Sequence, residues 1–290
     1  MSSDLIMLPS NRASRLNNIT CMYCGVEDRP ENPLTIEHVI ARRFVPKGAL
    51  NKSWALIGNA CSGCNGKKAD LEDDISAITL QPNLGEPHTD PALAAEAARK
   101  AAGSLSRLTR EVVGRSYREH SIEGALMSRM QVKFGFTSPP QLDETRVHEL
   151  AYMHLQGFFY FMSYRAADRR GGFLPGTVGH VARSNVPDWG NPLLRGFASL
   201  TGAWPSQLDR VCANGFFRIA MKLEPTESVI WSFAIEWNKR HRLVGFFGDI
   251  DRAQLLVDTL PQLEWKQWNA TSRYRWEVPL APEDDTLFAN

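Results

Sequence analysis

The chain has almost no net charge: 33 Lys and Arg stand against 32 Asp and Glu over 290 residues, a formal +1. That balance excludes a global basic field as a means of drawing in nucleic acid, so affinity for a polyanion has to come from local patches. Long apolar runs are missing too. No uncharged stretch approaches the roughly 18 residues that span a bilayer, and the opening Met1-Ser2-Ser3-Asp4 lacks the basic start of a signal peptide. A soluble, cytoplasmic protein without a membrane partner is expected. Internal repeats and low-complexity tracts are absent. Cysteine is sparse, five in all, and four of them fall in two pairs, which argues against a disulfide scaffold and for a reducing compartment. The fifth, Cys212, lies among Val211, Phe216 and Phe217 and is expected to be a small buried hydrophobe.

What is present is concentrated between Cys21 and Lys68. Cys21-Met22-Tyr23-Cys24 is followed by Ile36-Glu37-His38-Val39-Ile40, then by Asn59-Ala60-Cys61-Ser62-Gly63-Cys64-Asn65-Gly66-Lys67-Lys68. Each Cys-x-x-Cys pair can turn two thiolates toward one point, and two pairs supply a closed, tetrahedral, structural zinc site. A closed site leaves no position for a substrate, so Glu37 and His38 must do something else. A neutral imidazole can take a proton from water near pH 7. A carboxylate beside it, with an asparagine carbonyl, suits a hard divalent cation such as Mg2+ or Mn2+. Base, carboxylate and amide in one zinc-stapled unit form a set suited to phosphodiester hydrolysis.

The same residues resemble an HNH endonuclease domain of the zinc-stapled type, whose pattern is Cys-x-x-Cys, Asp/Glu-His, Asn, then Cys-x-x-Cys-Asn-x-x-Lys. The resemblance covers roughly residues 15–80 and implies a ββα-metal fold, a two-stranded ribbon and a helix around one catalytic ion. By that resemblance His38 is the general base, Glu37 the acidic metal ligand, Asn59 the residue that fixes the histidine-bearing loop, and Asn65 a second metal ligand. Lys68 stands at the family's basic position, a phosphate contact. Glu37 occupies a place where Asp is commoner, and Val39, Ile40 and Ala41 stand where a proline often follows.

Along the chain, Leu34–Ile36 is expected to be the first strand of the ribbon and Trp54–Ile57 the second, with a short helix from Cys64. Between the strands lies an insertion loop carrying Arg42, Arg43, Lys47 and Lys52; it reads as solvated, with Arg42 and Arg43 placed to meet phosphates. Glu72-Asp73-Asp74 reads as a solvated helix face. Gln81–Pro91, with three prolines and Gly85, marks a boundary. An alanine-rich helix over 92–102 follows. From Arg99 to Lys133, eight basic residues face three acidic ones; on a helix Arg107, Arg110, Arg115 and Arg118 share part of one face. That face reads either as a DNA-tracking surface or as a solvated or acid-paired one.

After Pro139-Pro140, residues 142–165 form a helix apolar over too wide an arc for a surface position. His148 and His154 lack zincin spacing and read as core or surface histidines. Residues 215–223, 229–237 and 243–247 are strand-like, the last two joined by a basic tip, Asn238-Lys239-Arg240-His241-Arg242. Residues 254–260 look helical, and 265–278 hold room for one or two more strands. Trp231, Trp237, Trp265, Trp268 and Trp276 read either as the core of a sheet or as a base-stacking surface.

The expectation is thus an α+β protein: an N-terminal zinc-stapled ββα-metal nuclease domain (1–85), a basic helical connector (86–140), and a mixed helical and sheet C-terminal domain (141–290). Its expected activity is metal-dependent hydrolysis of DNA, giving nicks unless it works as a homodimer. Bacterial HNH proteins with an extra domain often serve restriction or anti-phage defence, so partner proteins of such a system are implied by the resemblance alone. Two other readings stand beside it: a nuclease gated by a partner or ligand of the C-terminal domain, and a zinc module that binds nucleic acid without cutting it.

Overall fold

The computed structural model describes residues 13–51, 53–82, 86–127, 130–138, 140–267 and 273–288. Among the residues considered above, Met1, Ser2, Ser3, Asp4, Lys52, Gly85, Pro139 and Trp268 lie outside these, as does Arg129 of the basic stretch 99–133. In chain order the elements are β1 (Ser14–Arg15), β2 (Leu34–His38), β3 (Leu56–Cys61), α1 (Ser62–Thr79), α2 (Pro91–Gly103), β4 (Arg118–Met127), β5 (Met130–Ser138) and α3 (Glu144–Met162). They continue with β6 (Thr177–Asn185), α4 (Pro192–Thr201), β7 (Ser206–Cys212), β8 (Phe217–Leu223), β9 (Ile230–Trp237), β10 (His241–Gly248) and α5 (Ile250–Asp258). The class is mixed α and β, and no helix among the described residues is long and apolar enough to cross a membrane.

The chain divides into two compact units, Met1–Gly66 with Ala151–Asn290, and Lys67–Leu150. The cysteine-bearing segment and Ala151–Asn290 belong to one unit.

In the larger unit a five-stranded antiparallel sheet runs in the order β6-β10-β9-β8-β7. Its central strands are buried on both faces, with every residue of β10 inside, which is why they read as near-continuous apolar runs. On one face Leu194 and Phe197 of α4, Leu256 of α5 and Leu260 just after it pack against Ala220, Ala234, Val244 and Phe246. The other face receives the second half of α3. There Phe158 stacks on Phe217 at 5.8 Å between centroids, and Phe159 meets Trp231 and Phe247 edge-on. The same stretch of helix also packs on the N-terminal segment: Tyr160 and Thr20 share a hydroxyl bond of 2.8 Å, and Gln156 donates to the carbonyl of Met22.

The segment 42–51 is not the solvated loop expected. It is a chain of turns pinned by Phe44 and Val45, both fully buried, and Phe44 lies edge-on to Trp237. The hairpin tip after β9 is also shorter than expected. Asn238 and Lys239 turn it in left-handed backbone conformation, φ 52° and 58°, while His241 and Arg242 already lie on β10, buried. Cys212 is buried as expected, but Val211 beside it is exposed because β7 is an edge strand.

In the smaller unit the basic stretch 99–133 does not form the helix expected. α2 ends at Gly103, and the chain then turns and enters the antiparallel pair β4–β5, Arg118 opposite Ser138. Arg107, Arg110, Arg115 and Arg118 therefore do not lie on one helix. Of the acidic group of α1, only Asp73 is exposed as expected. Glu72 and Asp74 are buried; Asp74 accepts from the Arg146 guanidinium at 2.9 Å and from the Arg107 amide at 3.0 Å. Asp70, bonded to Arg146 and Arg107, is held below the usual carboxylate range, those bonds outweighing the opposing effect of its partial burial.

Candidate metal centre and the Glu37–His38 strand end

Residues 19–28 form a tight hairpin around the first cysteine pair. Thr20 bridges Glu27, the Cys21 amide donates to the Val26 carbonyl at 2.7 Å, and the Gly25 amide donates back to Cys21 at 2.9 Å. Gly25 closes the turn at φ +78°, a conformation that side-chain-bearing residues rarely adopt. The second pair lies where β3 runs straight into α1: Cys61 is the last strand residue and Cys64 sits in the first helical turn. That turn brings unpaired backbone N–H groups and the positive end of the helix dipole to the sulfurs, which favours thiolates.

The four Sγ atoms of Cys21, Cys24, Cys61 and Cys64 lie within 4.8 Å of one another. Cys24 and Cys61 are 3.7 Å apart, far beyond a disulfide bond and close to the roughly 3.8 Å edge of a tetrahedron with Zn–S bonds near 2.3 Å. The Tyr23 amide donates to the Cys21 sulfur at 3.4 Å. Burial pushes the Cys21 thiol up to about 11. Cys64 is raised too, by burial first and then by the charge of Cys21. Burial acts upward on Cys61 as well, but the Cys64 amide and the neighbouring thiols outweigh it and lower it. Thiolates this close repel, and a dication resolves the conflict. Donor type, number and spacing all suit one structural zinc ion.

β2 pairs antiparallel with β3, placing Glu37 opposite Gly58, His38 opposite Ile57 and Ile36 opposite Asn59. The two strands lead into α1, which begins at Ser62 and runs 18 residues to Thr79 rather than forming the short helix expected from Cys64. Glu37 and His38 are neighbours at the strand end and point to opposite faces of the ribbon. His38 is half-buried. Glu37 is only 4 % exposed and accepts from the Tyr23 hydroxyl at 3.1 Å. Asn65, in the first turn of α1, donates to Thr35 Oγ1 at 3.0 Å and reaches the Ile36 carbonyl at 3.5 Å. Its amide thus lies beside the two residues that precede Glu37.

Asn59 is engaged with Asn18: its amide N–H and its carbonyl bond the Asn18 side chain, and its own side chain donates to the Asn18 carbonyl at 2.8 Å. These three bonds tie the approach to the first cysteine pair to the middle of β3. A Cβ at Gly58 would come within 3.2 Å of Asn18 Oδ1. Arg42 and Arg43 are exposed just past the strand end. Lys68, expected to contact phosphate, is instead 1 % exposed, with its ammonium 2.6 Å from Glu72; it serves an internal ion pair of the smaller unit. Of the tryptophans, Trp237 is buried in the sheet and Trp231 stacks on Phe247, whereas Trp265 and Trp276 are exposed.

Sequence reasoning missed Asn18 and Tyr23. Both lie within or beside the first cysteine pair, but nothing local signals a partner 14 or 41 positions away. No protein-family model matches this chain, and no curated protein or solved structure matches it.

Proposed function

We propose that this protein is a zinc-stapled, divalent-metal-dependent endonuclease acting on DNA. The observation that carries the reading is that β2, paired with β3 beside a four-cysteine centre, ends in Glu37 and His38, with the Asn65 amide bonded to Thr35 two residues before Glu37. The cysteines supply fold rather than chemistry, since a small ribbon and helix turn have little core of their own.

His38, at the edge of the ribbon, takes a proton from the attacking water, an ordinary task for an imidazole near neutral pH. Glu37 and Asn65 offer one carboxylate and one amide oxygen, the hard donors that Mg2+ or Mn2+ accepts while keeping several waters. A cation held there would offset charge on the scissile phosphate and the leaving oxygen. Arg42 and Arg43, exposed beside the strand end, would steady the DNA backbone in this reading. With one such set per chain, the expected product is a nick.

The test is plasmid nicking in Mg2+ or Mn2+ by wild type and His38→Ala, each with measured zinc content. Open circles from wild type alone, at equal zinc content, support the reading. Equal cutting by both would remove His38 from the mechanism. Binding without cutting by either would favour a zinc module that only holds nucleic acid.

A further inference from the structure

We propose that Tyr23 is a positioning residue for the carboxylate of Glu37, so that the first cysteine pair orients the reaction site as well as stapling the fold. The inference rests on the endonuclease reading and extends it to a residue that no metal-ligand or HNH pattern singles out. Tyr23 lies between the two cysteines of the first pair. Its amide donates to the Cys21 sulfur at 3.4 Å, and its hydroxyl donates to Glu37 Oε1 at 3.1 Å. One residue therefore touches a zinc-ligand sulfur with its backbone and the candidate metal-ligand carboxylate with its side chain.

The geometry leaves the ring little freedom. Tyr23 is 7 % and Glu37 4 % exposed. The ring edge lies near Gly157 of α3, where a Cβ would come 3.6 Å from Tyr23 Cε1. A buried carboxylate without a donor is costly, and one oriented by a fixed hydroxyl can present its lone pairs in one direction. Partners of this kind, one bond behind a ligating group, commonly change metal affinity or activity about 10- to 100-fold when removed. Zinc at the four cysteines fixes the backbone of Tyr23, and the phenol passes that constraint to Glu37.

The experiment titrates Mn2+ into zinc-loaded full-length protein, following bound Mn2+ by electron paramagnetic resonance, and measures nicking as a function of Mn2+. Tyr23→Phe removes the hydroxyl and keeps the ring. Expected is a loss of Mn2+ affinity of about 10- to 100-fold, zinc content unchanged, and nicking that recovers partly at high Mn2+. In a Glu37→Gln background the same change should have no further effect on Mn2+ binding. Tyr160→Phe, which deletes the comparable buried hydroxyl bonded to Thr20, controls for loss of a buried hydrogen bond and should leave Mn2+ affinity as in wild type. Unchanged Mn2+ affinity in Tyr23→Phe, or equal losses in Tyr23→Phe and Tyr160→Phe, would overturn the positioning role while leaving the endonuclease reading intact. A wild type that neither binds Mn2+ nor nicks would overturn both.

Discussion

The larger unit contains two regions that hold their shape by different means. Around the cysteines, order comes from a few directional links: four converging sulfurs, three bonds between Asn18 and Asn59, and one from Tyr23 to Glu37. Around β8–β10, order comes from area, with strands buried on both faces between α3 and the pair α4–α5. Directional links give position without bulk. Area gives stability spread over many side chains, so no single one decides the outcome. The second half of α3 serves both regions, facing Thr20 and Met22 on one side and Phe217 and Trp231 on the other.

The largest expected effect separates these two kinds of order. Structural zinc in small peptides contributes about 10–16 kcal/mol of apparent binding energy near neutral pH. Chelation, or Cys61→Ser, should therefore open the ribbon while the sheet persists. Amide hydrogen exchange reads this directly: protection in β2 and β3 should collapse, while β9 and β10 keep theirs. Loss of protection everywhere at once would mean the two regions fold as one cooperative whole and that the contrast is one of appearance.

A second perturbation acts from the other side. Arg242 is buried on β10, 2.8 Å from Glu236, bonded to Asp285, and stacked over the Trp189 ring at 3.5 Å. Removing one partner of such a buried group strands the other charges, at a cost of about 3–5 kcal/mol. Arg242→Ala should lower the thermal midpoint by a corresponding margin and leave zinc stoichiometry unchanged. Loss of zinc along with stability would show that the sheet's polar core also supports the cysteine centre.

How much of this can be read from the sequence follows the same division. The cysteine centre is readable because its chemistry is local: Cys-x-x-Cys geometry and a helix start need no distant information. Strands β8–β10 are readable because burial on both faces leaves long apolar runs. Edge strands are not. β6, Thr177–Asn185, is mostly exposed or half-buried, and β7 turns Val211 outward, so neither carries an apolar run. β4 holds good helix formers such as Glu123, Ala125 and Met127, yet pairs with β5, and a non-local partner overrides local preference there. Phe44 looks like part of a basic loop until Trp237 and His154 close around it. Joining residue 20 to residue 160 is likewise a property of packing that no local period announces.

The smallest effect tests how tightly the shared helix fits the ribbon. Glycine inside a helix costs about 1 kcal/mol relative to alanine, so Gly157→Ala should stabilise α3 if space allowed. It does not: a Cβ there would lie 2.9 Å from Val39 Cγ1 and 3.1 Å from Cγ2. Val39 is fully buried, and a β-branched side chain has few rotamers to retreat into. Overpacking of this kind costs about 1–3 kcal/mol, so the net should be a destabilisation of roughly 1 kcal/mol. Gly66→Ala supplies the opposite sign, because Gly66 also lies within a helix and a Cβ there would meet nothing within 4 Å; it should gain up to about 1 kcal/mol. Urea midpoints of the two variants should therefore move in opposite directions. A Gly157→Ala midpoint that rises with that of Gly66→Ala would mean Val39 yields, and that the strand carrying His38 is held against α3 more loosely than its burial implies.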